Sequence, residues 1–137
     1  MPTYLTRSEE ETISLGERLA LRLPSKAVVL LIGDLGAGKT TLAKGIVKGL
    51  AAAAPEDVSS PTFTLIHEYG SAVYHIDLYR LDEEREVEGL GLEEIFEREA
   101  VVLIEWGERF PGLIPDNHLE VEIKDKSGDA REFSVDF

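Results

Sequence analysis

Gly33-Asp34-Leu35-Gly36-Ala37-Gly38-Lys39-Thr40, followed by Thr41, is a complete G-x-x-x-x-G-K-[ST] stretch, and the rest of the chain is read outward from it. The preceding run, Ala27-Val28-Val29-Leu30-Leu31-Ile32, is continuous, apolar and β-rich, as in a buried parallel strand. Thr41 to Leu50 reads as the following helix, with Leu42, Ala43, Ile46, Val47 and Leu50 on one face. Strand, glycine-rich loop and helix in this order make a phosphate-binding unit. Gly33, Gly36 and Gly38 admit backbone conformations closed to residues with a Cβ, so successive N–H groups can turn toward one anion. The residues expected to hold the nucleotide are therefore Asp34, Leu35, Gly36, Ala37, Gly38, Lys39, Thr40 and Thr41. Lys39 brings a mobile cation to the phosphates, Thr40 a hydroxyl for Mg²⁺, and the helix its positive end.

Composition narrows the class. A chain of 137 residues is long enough for one domain with its own core, so residues 1–137 are expected to form a single unit. The absence of cysteine excludes disulfides, thiolate catalysis and cysteine-type zinc sites. The first dozen residues carry no apolar signal core, and the longest apolar run falls far short of a membrane span, so a soluble, cytoplasmic protein is expected. With 27 acidic and 14 basic residues the formal charge is −13, which repels a nucleic-acid backbone and argues against direct RNA binding. Nine of the acids lie between Asp82 and Glu99, facing only Arg85 and Arg98. That run is either a solvated helical face or a surface for a basic protein partner.

Along the chain, Pro2–Arg7 is extended in character. Ser8 and Glu11 form a capping box for a helix to about Leu23, which Pro24 stops. Gly45 and Gly49 each cost the second helix roughly 1 kcal/mol of propensity, so packing must hold it. Ala51–Ala54 offers an extension as far as Pro55, where a polar loop begins. Thr62–Ile66 and Ser71–Asp77 read as an antiparallel hairpin turning at Gly70. Gly89 and Gly91 divide Asp82–Glu99 into two short helices. Ala100–Ile104 is a second fully apolar run with the character of a central parallel strand. Trp106–Ile114 reads as a loop with at most a helical turn. Leu119–Lys124 and Ala130–Phe137 read as a hairpin at the sheet edge. The fold expected is α/β, P-loop NTPase-like: a mixed sheet with parallel core strands, flanking helices and antiparallel edge hairpins.

A phosphate-binding loop needs an acid for Mg²⁺ or its waters, normally at the carboxyl end of a neighbouring apolar strand. Glu105, directly after Val101–Ile104, fits that pattern best and is the first choice for the metal; Asp77, after a run interrupted by His75, is the second. Lys39 and the loop amides would stabilise charge on the transferred phosphoryl group, and Asp77 or Glu105 would orient water. Arg80 is a candidate for transition-state stabilisation. His75 shares a strand face with Asp77, but without a third local ligand it reads as a hydrogen-bonding residue of the site, with His67 and His118 at the surface or an edge. The absence of N-K-x-D favours ATP over GTP. No G-x-S-x-G elbow is present.

Four ordered stretches together carry a resemblance: Gly33–Thr41, Ser60-Pro61-Thr62-Phe63-Thr64, His75-Ile76-Asp77-Leu78-Tyr79-Arg80-Leu81 and Ile104-Glu105-Trp106-Gly107. Joined with the N-terminal Thr12-x-x-Leu15-Gly16 segment, they resemble the TsaE (YjeE) family over most of the chain. The resemblance implies a Mg²⁺-dependent ATPase of the bacterial machinery that makes threonylcarbamoyladenosine beside the tRNA anticodon, acting on the proteins TsaD and TsaB. It also implies that Thr40 and Glu105 hold Mg²⁺, that Asp77 is needed for turnover and that Thr62 belongs to a switch near the γ-phosphate. Glu9 is implied beside the adenine, with Gly128 approaching the base from the C-terminal hairpin. A small-molecule kinase, and a nucleotide-sensing module without turnover, are the other readings of the same loop.

Overall fold

The computed structural model describes residues 2–137. In chain order the elements are β1 (Thr3–Thr6), α1 (Glu9–Ala20), β2 (Ala27–Ile32), α2 (Lys39–Gly49), β3 (Ile66–Tyr69), β4 (Val73–Asp77), α3 (Glu84–Glu88), α4 (Leu92–Phe96), β5 (Val101–Glu105), β6 (Leu119–Asp125) and β7 (Arg131–Val135). The strands form one seven-stranded sheet in the order β1-β7-β6-β2-β5-β4-β3. Its four central strands run parallel, and the outer pairs β1–β7, β6–β7 and β3–β4 are antiparallel. Among the described residues, no helix is long and apolar enough to cross a membrane.

Side-chain alternation splits the core in two. Val29 and Leu31 of β2, Val101 and Leu103 of β5 and Val73 of β4 pack with α1 and α2. Leu30, Val102, Ile104, Tyr74 and Ile76 point the other way, under α3, α4 and the segment to Ile114. The same alternation carries His75, Asp77 and Glu105 to the α1/α2 face. The register pairs Asp77 with Glu105, so two acids far apart in sequence end adjacent parallel strands.

Ser8 caps α1 as expected, its hydroxyl accepting from the Glu11 amide at 3.1 Å, but the Glu11 carboxylate reaches the Arg7 amide at 2.7 Å rather than that of Ser8. Gly45 is where α1 and α2 cross closely: a Cβ there would lie 2.1 Å from the Ile13 carbonyl oxygen. The propensity lost to this glycine is the condition for the contact.

Several expectations are corrected. Helix α1 ends at Ala20, short of Leu23. Helix α2 starts two residues earlier than predicted and ends at Gly49, because Ala51 turns to φ 57° and blocks extension through Ala54. Thr62–Leu65 is not strand: Leu65 takes φ 71°, its amide donates to the Pro61 carbonyl at 2.6 Å, and pairing begins only at Ile66. The C-terminal hairpin is not at the edge, since β6 lies against β2 and β1 caps β7. The segment after Trp106 forms two 3-10 turns, Gly107–Arg109 and Pro111–Leu113.

Candidate functional site

Strand β2 delivers the chain to the glycine-rich loop, and the loop turns directly into α2. Gly38, at the helix N-cap, has φ 111°, and Gly36 has φ 79°, a region that residues with a Cβ rarely adopt. The loop edges a cavity of about 330 Å³ lined by Leu35, Gly36, Gly38, Lys39, Thr40, Thr41, Ser60, Thr62, Asp77, Tyr79, Glu105 and Trp106. Of the expected loop residues, Ala37 instead turns into the core and Asp34 stays at the exposed rim. A larger groove of about 680 Å³ lies under α3 and α4; the charged side chains that line it are Glu88, Glu93 and Glu94, with no lysine or hydroxyl among its lining residues.

Lys39, only 5% exposed, donates to the Gly33 carbonyl at 2.6 Å, and its ammonium lies 3.6 Å from the centre of the Trp106 ring. Trp106 reaches it by taking φ 67°, and Tyr79 packs on its ring with centroids 5.2 Å apart. Burial lowers the Lys39 pKa below the ordinary lysine value, opposed by the charges of Glu105, Glu108, Asp77 and Asp34. Burial likewise raises the pKa of Glu108, whose Oε1 has no hydrogen-bond partner among the described residues.

Two carboxylates sit at the floor. Glu105 Oε2 accepts from the Thr40 hydroxyl at 3.2 Å and meets His75 Nε2 at 2.6 Å. Asp77 Oδ2 accepts from Thr62 at 3.0 Å and Ser60 at 3.3 Å, while Oδ1 caps the Tyr79 amide at 2.9 Å. The Ser59–Leu65 loop is thereby tied to Asp77. Arg80 is turned to the same loop, donating to the Phe63 carbonyl at 3.3 Å, and does not line the cavity. His75 hydrogen-bonds within the site as expected, whereas His67 meets Tyr69 and His118 meets Pro115 and Glu120.

The donor set near α2 is oxygen only: a hydroxyl and two carboxylates, the set that suits a hard divalent cation. The charges that act on Lys39 are those of four acids, Glu105, Glu108, Asp77 and Asp34, an excess that a divalent cation beside bound phosphates would offset. Thr40 and Glu105, whose side chains meet at 3.2 Å, could hold such a cation. Glu9 borders a second cavity of about 480 Å³ reached past Gly36, Gly38 and Thr41. Gly128 does not line it; its carbonyl accepts from Arg131 at 3.3 Å, and Arg131 and Asp129 form that wall. Neither residue stands out in sequence, where Arg131 is one of several scattered arginines. Ser60 and Trp106 were legible only as parts of motifs, not as partners of Asp77 and Lys39.

Residues 6–133 match the family model described as threonylcarbamoyl adenosine biosynthesis protein TsaE. The chain is 41% identical over 120 residues to a protein of Haemophilus influenzae named tRNA threonylcarbamoyladenosine biosynthesis protein TsaE, covering 85% of this chain and 74% of that one. A protein of the same name from Bacillus subtilis is 40% identical over 134 residues (96% and 82% covered), and one from Nostoc is 49% identical over 118 (81% and 71%). The crystal structure of Bacillus subtilis YdiB superposes with a TM-score of 0.78 at 34% identity, covering 98% of this chain and 83% of that one. Motif order, fold and similarity over nearly the full described length converge: the chain belongs to the TsaE family.

Proposed function

We propose that residues 1–137 act as a single, cytoplasmic, Mg²⁺-dependent ATPase domain that serves threonylcarbamoyladenosine modification of tRNA by acting on a TsaD–TsaB complex. One observation carries the reading: Lys39, Thr40, Thr62, Asp77 and Glu105, drawn from four separate segments, line one cavity at the mouth of the glycine-rich loop. The loop amides and Lys39 bind the phosphates and stabilise charge on the group transferred. When bound, Mg²⁺ neutralises phosphate charge. Thr40 and Glu105 hold that cation in this reading, and Asp77, already hydrogen-bonded to Thr62, orients water. The Glu9 cavity takes the base.

The acid excess around Lys39 supports a Mg²⁺ requirement. Slow turnover by the chain alone, with the partner completing the site, is supported by Arg80, which bonds to the Phe63 carbonyl and does not line the cavity. The acidic surface favours protein over RNA as the docking surface. The test is phosphate release by the chain alone, with TsaD–TsaB, and with TsaD–TsaB plus Lys39→Ala protein. Stimulation by the complex that disappears with Lys39→Ala is expected. An identical wild-type rate with and without the complex removes the partner-gated reading, and phosphate transfer to a metabolite would replace it with a kinase.

A further inference from the structure

His75 is a polar residue with no place in the steps above, and it is fully buried on β4 beneath the cavity. Its Nε2 lies 2.6 Å from Glu105 Oε2. Its Nδ1 is buried with no hydrogen-bond partner among the described residues. That asymmetry places an N–H on Nε2. On Nε2, the N–H donates to the carboxylate and only an acceptor lone pair is stranded at Nδ1. On Nδ1, a donor would be buried without an acceptor and a lone pair would face a carboxylate.

We propose that His75 is a positioning residue that holds Glu105 as a one-sided ligand: its Nε2–H pins Oε2 and leaves Oε1 for a divalent cation. The proposal deepens the function given above and rests on it. The other group on Oε2, the Thr40 hydroxyl at 3.2 Å, belongs to the helix that receives the nucleotide. His75 instead comes from the sheet, through a strand hydrogen-bonded to β5 in register, so its hold on the carboxylate does not depend on what occupies the cavity. Among the described residues Oε1 makes no protein hydrogen bond, while Glu105 lines the cavity. A carboxylate fixed on one oxygen loses less freedom on meeting a cation. Partners that orient metal ligands in this way are typically worth about 10–100-fold in metal affinity.

The experiment uses the full chain with ADP and Mg²⁺ as probes. Calorimetric titrations of ADP across a range of Mg²⁺ concentrations give the Mg²⁺ midpoint separately from Mg²⁺-free ADP affinity. His75→Leu is expected to raise the midpoint about 10–100-fold and to leave Mg²⁺-free binding unchanged. His75→Gln, whose amide nitrogen occupies the Nε2 position, should restore the midpoint, and His75→Asn, which reaches only the Nδ1 position, should not. Circular dichroism reports folding. Long-range ¹H–¹⁵N correlation spectra of the wild type should show the Nε2–H tautomer, a readout that stands even if His75→Leu fails to fold. An Nδ1–H tautomer, or an unchanged Mg²⁺ midpoint in folded His75→Leu, overturns the role of His75 alone. Wild-type protein that binds ADP indifferently to Mg²⁺ overturns the metal reading and the positioning role together.

Discussion

On one face of the sheet, α1 and α2 cross so closely that a Cβ at Gly16, Gly45 or Gly49 would come within 2.6, 2.1 or 2.7 Å of the opposing helix. On the other, two five-residue helices and two 3-10 turns cover the strands and leave a groove of about 680 Å³ rimmed by Glu88, Glu93 and Glu94. All the candidate chemistry lies on the first face, at the end where α2 begins. Phosphate and metal chemistry needs groups held within a fraction of an ångström, and a helix locked by backbone contact with its neighbour gives Lys39 and Thr40 a fixed origin. The second face closes a core but positions no reacting group, so it tolerates thin cover and a dense charge of one sign.

The sharpest break in this comparison is a pair of charge changes, one on each face. Lys39→Ala should lower partner-stimulated phosphate release by at least about 100-fold with unchanged circular dichroism, whereas Glu93→Gln should leave ADP binding as in wild type. Turnover at the wild-type rate in folded Lys39→Ala protein would show that the closely packed face does not hold the site.

Next in size, the two strand-end acids should separate. Glu105→Ala is expected to raise the Mg²⁺ needed for ADP binding by about tenfold or more, and Asp77→Ala to spare binding while slowing hydrolysis. Calorimetry with and without Mg²⁺ decides it, and identical binding defects would merge the two roles.

Stability tests the packing contrast directly. Gly45→Ala should cost about 1–3 kcal/mol by overpacking, while Gly112→Ala, where an added Cβ meets nothing within 4 Å, should change stability by no more than about 0.5 kcal/mol. Urea denaturation of both variants measures the difference; equal costs would mean that the helix crossing is not the constraint described.

Trp106 should report the site spectroscopically, since Lys39 lies against its ring. Mg·ADP is expected to change its emission, and a flat titration in protein shown by calorimetry to bind would reduce Trp106 to a packing residue.

The smallest effect is expected at His118. Burial alone would lower its pKa, but hydrogen bonds to Glu120 and the Pro115 carbonyl, with the charges of Glu120 and Asp136, raise it. A raised folded-state pKa adds stability that is fully present below the ordinary histidine pKa of about 6.5 and is lost as pH rises through the folded value. The melting temperature of wild type relative to His118→Gln should therefore decline across that window, and a pH-independent difference would contradict the assignment.

Much of this could be read in the chain before folding. The β2–loop–α2 unit was legible because its parts are contiguous: backbone amides, a lysine and a hydroxyl within eight residues need no distant partner. The apolar run at Val101–Ile104 identified a central strand, and Gly89 with Gly91 marked the break between α3 and α4, because burial and helix interruption are local in cause. Thr62–Leu65 was misread as strand because its β-prone residues are held in a turn by the Leu65-to-Pro61 hydrogen bond and by the Asp77 carboxylate, neither of which a propensity contains.

What the amino-acid sequence determined by itself was thus the strand, glycine-rich loop and helix unit, the order of the motifs and the two acids worth considering. The tertiary structure alone decided that Asp77 and Glu105 stand side by side, through the β4–β5 register, and that β6 enters the sheet beside β2 while β1 takes the edge. It also placed Trp106 over Lys39 and the buried His75 against Glu105. The physical reason is range: a glycine's freedom or a strand's alternation acts within a few residues, whereas a side chain's partner across the sheet depends on strand pairing that brings together residues dozens of positions apart.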